Sequence, residues 1–103
     1  MNKDEFDINK EKGPNYAKFT LKGRVNSINV PMLQHKLDEA LRDGEINIVL
    51  NMAWVEYLSS AGIRVILKTH KDAARAGGSF GIEYPSENVR NVLGMAALDE
   101  MLI

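Results

Sequence analysis

The sequence predicts an α/β fold: a mixed sheet of four to five strands with helices packed against it, in the order ββαβαβα. Short runs rich in β-branched residues alternate with longer stretches whose apolar residues recur every three or four positions, the pattern of strands alternating with helices. The first two strand-like runs follow one another with only a turn between them, so the first pairing is expected to be a hairpin and the sheet mixed. No linker or low-complexity segment divides the 103 residues, which are expected to form one domain, 1–103, near the modal domain size.

Taken in order, "FDINKEK" (6–12) alternates weakly and "GPN" (13–15) is a turn signal. "YAKFTLKGRV" (16–25) places Ala17, Phe19, Leu21 and Gly23 on one side and Lys18, Thr20 and Lys22 on the other, which is the period of a half-exposed strand. A helix is expected within 26–44. It has cap candidates at Asn26, Ser27 and Asn29, Pro31 in the first turn, an apolar stripe of Val30, Leu33, Leu37, Ala40 and Leu41, and Gly44 as the stop. "INIVLNM" (46–52) is a short apolar run expected to be a central strand buried on both faces, with "AWVEY" linking it to the serine-containing turn before the next helix. That helix carries Ile63, Ile66, Leu67, His70, Ala73 and Ala74 on its predicted inner face, with Lys68, Lys71, Asp72 and Arg75 outside, and ends at Gly77 and Gly78. "SFGIEYP" (79–85) is the last strand. Ser86 caps a final helix whose stripe is Val89, Val92, Leu93, Ala96 and Ala97, with Gly94 as its weak point.

Composition excludes several functions. The net charge of -1 argues against nucleic-acid binding, which needs a clustered basic excess. With no cysteine there are no disulfides, thiolate zinc sites or cysteine nucleophiles. The charged start, "MNKDEFDINKEKG", lacks the apolar core of a signal peptide, and no run approaches the roughly 20 apolar residues of a membrane span. A cytoplasmic protein without membrane attachment is the expectation. Neither glycine-rich phosphate-cradling signature is present, and His35 and His70 lie on different predicted helices without metal-ligand spacing. No cofactor, metal or catalytic residue is expected. His35 reads as a solvated position, His70 as a partly buried one, and the five methionines as core filler, some near the C-terminus lining a contact surface.

The informative stretch is "YLSSAGIRVIL" (57–67), where two serines and a glycine precede a helix. Ser60 occupies the nucleophile place of a G-x-S-x-G elbow, but Leu58 stands where the first glycine belongs. A partner base would have to be His70, ten residues on in the same helix. At about 1.5 Å rise per residue it lies roughly 15 Å away, beyond hydrogen-bond reach. Hydrolysis is rejected. Two readings stay open: a serine that caps the helix, with Gly62 giving room against the sheet, or a serine that accepts a phosphate where orphan N–H groups and the helix dipole favour negative charge.

The series "FTLKGRVNSINVPMLQHKLDEAL", "INIVLNM", "VEYLSSAGIRVIL" and "RAGGSFGI" resembles the STAS domain, and in particular the small bacterial anti-sigma-factor antagonists, over nearly the whole chain. The most specific element is the block of two apolar residues, Asp or Ser, Ser, a small residue and Gly before a helix, matched by "YLSSAGI". The resemblance implies the STAS fold and a non-enzymatic binding module working by partner switching. In such a circuit the unphosphorylated antagonist binds an anti-sigma factor serine kinase and is released when that kinase phosphorylates it. A PP2C-type serine phosphatase reverses the step. Carried onto this sequence, the phosphoacceptor is Ser60. The partner-binding surface comprises Asn26, Ser27, Leu58, Ser59, Ser60, Ala61, Gly62 and Arg64. The chain departs from the usual pattern at Ser59 and Asn26, where Asp is typical. Two alternatives stand beside this expectation: a STAS scaffold module that is never phosphorylated, and a STAS domain that binds a small ligand.

Overall fold

The computed structural model describes residues 5–103; the first four residues of the charged N-terminal stretch lie outside them. Four strands form one sheet in the order β1-β2-β3-β4. β1 (Phe6–Lys12) runs antiparallel to β2 (Tyr16–Val25), which pairs in parallel with β3 (Asn47–Leu58), and β3 with β4 (Ser79–Glu83). Helices α1 (Val30–Arg42) and α2 (Ser60–Arg75) make the two parallel crossovers, and α3 (Glu87–Met95) follows β4. A final 3₁₀ turn, Asp99–Met101, brings Leu102 into a parallel bridge with Ile82, so the chain end touches the β4 edge without adding a fifth strand. The α/β class, the mixed sheet and the ββαβαβα order are those the sequence predicted.

The core lies on one side of the sheet. Ala17, Phe19, Leu21 and Val25 of β2 and Ile48, Leu50 and Met52 of β3 join Leu33, Leu37 and Ala40 of α1, Val65 and Ile66 of α2, and Val89 and Leu93 of α3 in one buried cluster. The alternate residues of β2 stay on the open side, where Lys18 pairs with Glu83 across β3. β3 is therefore not buried on both faces: Asn47, Val49 and Asn51 are only partly covered, because the helices pack on the opposite side.

Three further expectations need correction. "AWVEY" is not a link, because β3 continues unbroken to Leu58. Its register against β2 shifts twice, between Thr20 and Lys22 and between Gly23 and Arg24, each time with an extra β3 residue. These bulges change the burial spacing from two to three, so Met52, Val55 and Leu58 all face the core. The inner face of α2 also differs, since Val65 and Thr69 are buried whereas Ala74 is exposed. Finally, α3 stops at Met95, and Ala96 and Ala97 are exposed rather than on a buried stripe.

Helix ends explain much of this. α1 and α2 close with the same motif: the N–H of Glu45 reaches the Ala40 carbonyl, and that of Gly78 the Ala73 carbonyl. Gly44 and Gly77 take the left-handed backbone this closure demands, each with φ of 85°. At the start of α3, the Ser86 hydroxyl accepts from the Val89 N–H and donates to the Val55 carbonyl, fastening the helix to the part of β3 beyond β4.

Candidate functional site

Parallel strands deliver their C-terminal ends to the same end of the sheet, where α/β folds most often place their sites. Here Val25 closes β2 opposite Leu58 at the end of β3, and the Ser59 N–H donates to the Val25 carbonyl at 2.9 Å. The β2–α1 loop (26–29) and the β3–α2 turn (58–62) are thus tied together. This single hydrogen bond unites the two segments that sequence reading had grouped.

Ser59 is the N-cap of α2. It has an extended backbone, and its Oγ accepts from the Gly62 N–H at 3.2 Å. The Ile63 N–H donates to the Ser59 carbonyl. Ser60 is the first helical residue and is exposed. The two open readings of this motif therefore fall on different residues, and Ser60 is not the cap. Its hydroxyl is free of that structural duty and faces outward. Gly62 is buried, and a Cβ there would come within 2.7 Å of Leu58 Cδ1 and 2.8 Å of Val25 Cγ1. The small residue lets the first turn of α2 sit against the strand ends. Leu58 is buried, anchoring the turn to the core, while Ala61 is half-buried. Arg64 projects outward one turn into α2.

On the neighbouring loop, the Asn26 Oδ1 accepts from the N–H groups of Ile28 and Asn29 at 3.0 and 3.1 Å. Asn26 therefore holds the turn before α1 rather than capping the helix directly. Asn29 occupies the N-cap position without a side-chain cap bond, and its Nδ2 instead donates to the Arg24 carbonyl at 2.7 Å. Ser27 is exposed. Sequence reading missed two residues here: Ile28 of this loop, 65% exposed, and Met32 in the first turn of α1, 42% exposed, are large apolar side chains facing solvent. An isoleucine in the polar run "NSIN" was the available signal.

The charge around α2 is positive on its outer side. Lys68 is held by Asp72 at 2.7 Å and approaches Asp38 of α1 at 3.5 Å. The hydrogen bond that the Lys68 ammonium donates to Asp72, followed by the charge of Asp38, holds its pKa above the ordinary lysine value. His70 packs edge-on against the Phe80 ring at 6.1 Å between centroids. It lies ten residues after Ser60 on the same continuous helix, α2, so the roughly 15 Å separation read from the sequence stands. Among the described residues no His, Cys, Asp and Glu cluster could hold a metal ion. No described helix is long and apolar enough to cross a membrane.

A STAS domain is what this architecture and this serine turn define, and the family comparison agrees: the STAS domain profile matches residues 7–102. The chain belongs to the STAS domain family. It is 35% identical over 72 residues to BtrV of Bordetella bronchiseptica, which carries the name anti-sigma factor antagonist. That match covers 70% of this chain and 62% of BtrV, so the chain spans less than two thirds of that relative's length. The fold superposes on SpoIIAA, an anti-sigma factor antagonist, in its unphosphorylated form with a TM-score of 0.85 at 19% identity, covering 94% of this chain and 86% of SpoIIAA. The phosphorylated form of SpoIIAA from Bacillus gives 0.79 at 17% identity, covering 94% and 89%.

Proposed function

We propose that this protein is an anti-sigma-factor antagonist of a cytoplasmic partner-switching circuit. It binds a serine-kinase anti-sigma factor through the surface formed by Asn26, Ser27, Leu58, Ser59, Ser60, Ala61, Gly62 and Arg64, extended by Ile28 and Met32. The observation that carries the reading is the exposed hydroxyl of Ser60 at the first position of α2, beside the β2–α1 loop. The name of the BtrV relative and the two SpoIIAA forms that share the fold support it.

The kinase transfers the terminal phosphoryl group of ATP to Ser60 Oγ, releasing ADP, and the hydroxyl proton passes to a base on the kinase. A PP2C-type phosphatase returns the serine by hydrolysis. The protein's own part is to present the hydroxyl and to change its surface. Phosphorylation adds about -1.5 to -2 charges. It does so next to exposed apolar side chains, where a docked partner would have to bury that charge at high cost.

Incubation with the cognate kinase and ATP is expected to add one phosphate, detected by intact mass, and Ser60→Ala should abolish it. Ser60→Asp should weaken kinase binding at least tenfold in calorimetry. Labelling that survives Ser60→Ala and disappears in Ser59→Ala would move the acceptor. Unchanged binding by Ser60→Asp would leave a scaffold module that is not switched by charge.

A further inference from the structure

Arg64 stands four residues after Ser60 on α2, and on a helix such residues are surface neighbours, about 5–6 Å apart at Cβ. Both side chains are exposed. Among the described residues the Arg64 guanidinium has no hydrogen-bond or ion-pair partner, and the first turn of α2 contains no acid. The other cations of this region are committed or distant. Lys68 is bound by Asp72 and Asp38, and Arg75 by Asp72. Lys71 lies eleven residues along the helix, roughly 16 Å from Ser60. Arg24 lies over the Tyr57 ring, 4.5 Å from its centroid. The adjacent β2–α1 loop, residues 26–29, carries no charged side chain.

We propose that Arg64 receives the Ser60 phosphate within the same chain, as a guanidinium–phosphate pair one helical turn long. This rests on the phospho-switch reading above and adds to it a second consequence of the same modification. In the unphosphorylated protein, Arg64 projects freely from the surface beside Ser60 and is available to a partner. Once Ser60 is modified, the planar guanidinium fork matches two phosphate oxygens, a geometry a lysine ammonium cannot reproduce. Phosphorylation then both introduces a negative group and withdraws a positive one from the docking surface. No backbone movement is required, because the two residues already share one face of a formed helix.

The test uses the full chain with phosphoserine incorporated at position 60 during translation, so that no kinase is needed. Phosphorus NMR follows the second ionisation of the phosphate, ordinarily near pH 6, in the Arg64 chain, in Arg64→Lys and in Arg64→Gln. The helix dipole and its free N–H groups are common to all three, so differences report the side chain alone. The phosphate in the Arg64 chain should lose its second proton about 0.3 to 0.5 pH unit lower than in Arg64→Gln, a two- to threefold change in proton affinity, with Arg64→Lys between them. Coincident titrations for Arg64 and Arg64→Gln would overturn the pairing. As a second readout, the phosphorylated chain should gain more thermal stability over its unphosphorylated counterpart with Arg64 than with Gln, and equal gains count against the pair. A phosphoserine chain that still binds the kinase would sink the switch while leaving this pair standing; coincident titrations would do the reverse.

Discussion

Ser59 and Ser60 are adjacent and chemically identical, yet the backbone gives them separate work. Ser59 has an extended backbone and spends its oxygen on the Gly62 N–H, whereas Ser60 is already helical and exposes its hydroxyl. Replacing a capping serine by alanine typically costs about 1 kcal/mol. Ser59→Ala should therefore lower stability by about that much in urea denaturation and leave the proposed acceptor, Ser60, still able to take a phosphate. A Ser59→Ala protein as stable as the wild type would mean that the cap bond contributes nothing. The same geometry explains how Ser59 can stand where Asp is typical of the family: both side chains offer an oxygen to the first turn. What Ser59 lacks is the charge. Gly62 completes the turn, because contacts of 2.7 and 2.8 Å to Leu58 and Val25 would accompany any Cβ.

The three helices end alike, but not with the same residue. After α3 the Leu98 N–H reaches the Leu93 carbonyl, as Glu45 and Gly78 do after α1 and α2. The residue that must turn left-handed there is Ala97, with φ of 57°, whereas α1 and α2 use glycine. An L-residue in that conformation costs roughly 1–2 kcal/mol. Ala97→Gly should consequently stabilise the protein by about 1 kcal/mol, visible as a higher denaturation midpoint at unchanged slope. A lower midpoint would show that the strain is not stored there.

This helix end also marks a limit of what the sequence discloses. β1, β2, the starts of all three helices and the end of α2 were legible because their signals are local: alternation, a serine, a proline, a glycine pair. The length of β3 was not, since its bulges exist only in register with β2, and the resulting three-residue spacing of Met52, Val55 and Leu58 mimics neither strand nor helix. The end of α3 was missed because the residue that reverses the chain there is Ala97 rather than a glycine, so the apolar stripe seemed to run on through Ala96 and Ala97. At the candidate site the serine turn was legible as a motif. The assignment of cap and exposed hydroxyl to separate serines needed backbone angles, and the exposure of Ile28 and Met32 needed the packed neighbours.

Across the whole molecule, the candidate switch stands apart from what holds the fold together. The core is built by β2, β3 and the inner faces of the helices, and Ser60 contributes nothing to it. The anchors of the turn, Leu58 and Gly62, point inward, while Ser60 and Arg64 point outward. A phosphate at Ser60 would meet solvent, the N-terminal N–H groups of α2 and the Arg64 side chain, all available without repacking. Charge effects at an exposed site are screened over roughly 8–10 Å at physiological salt. The phosphoserine chain should therefore keep its fold. Its amide NMR spectrum should change only for the β2–α1 loop, the β3–α2 turn and the first two turns of α2, while core amides such as those of Phe19, Leu50 and Ile82 stay in place. Shifts spreading to those strands would show instead that the modification acts by loosening the core, and the switch would then work through stability rather than through a changed surface.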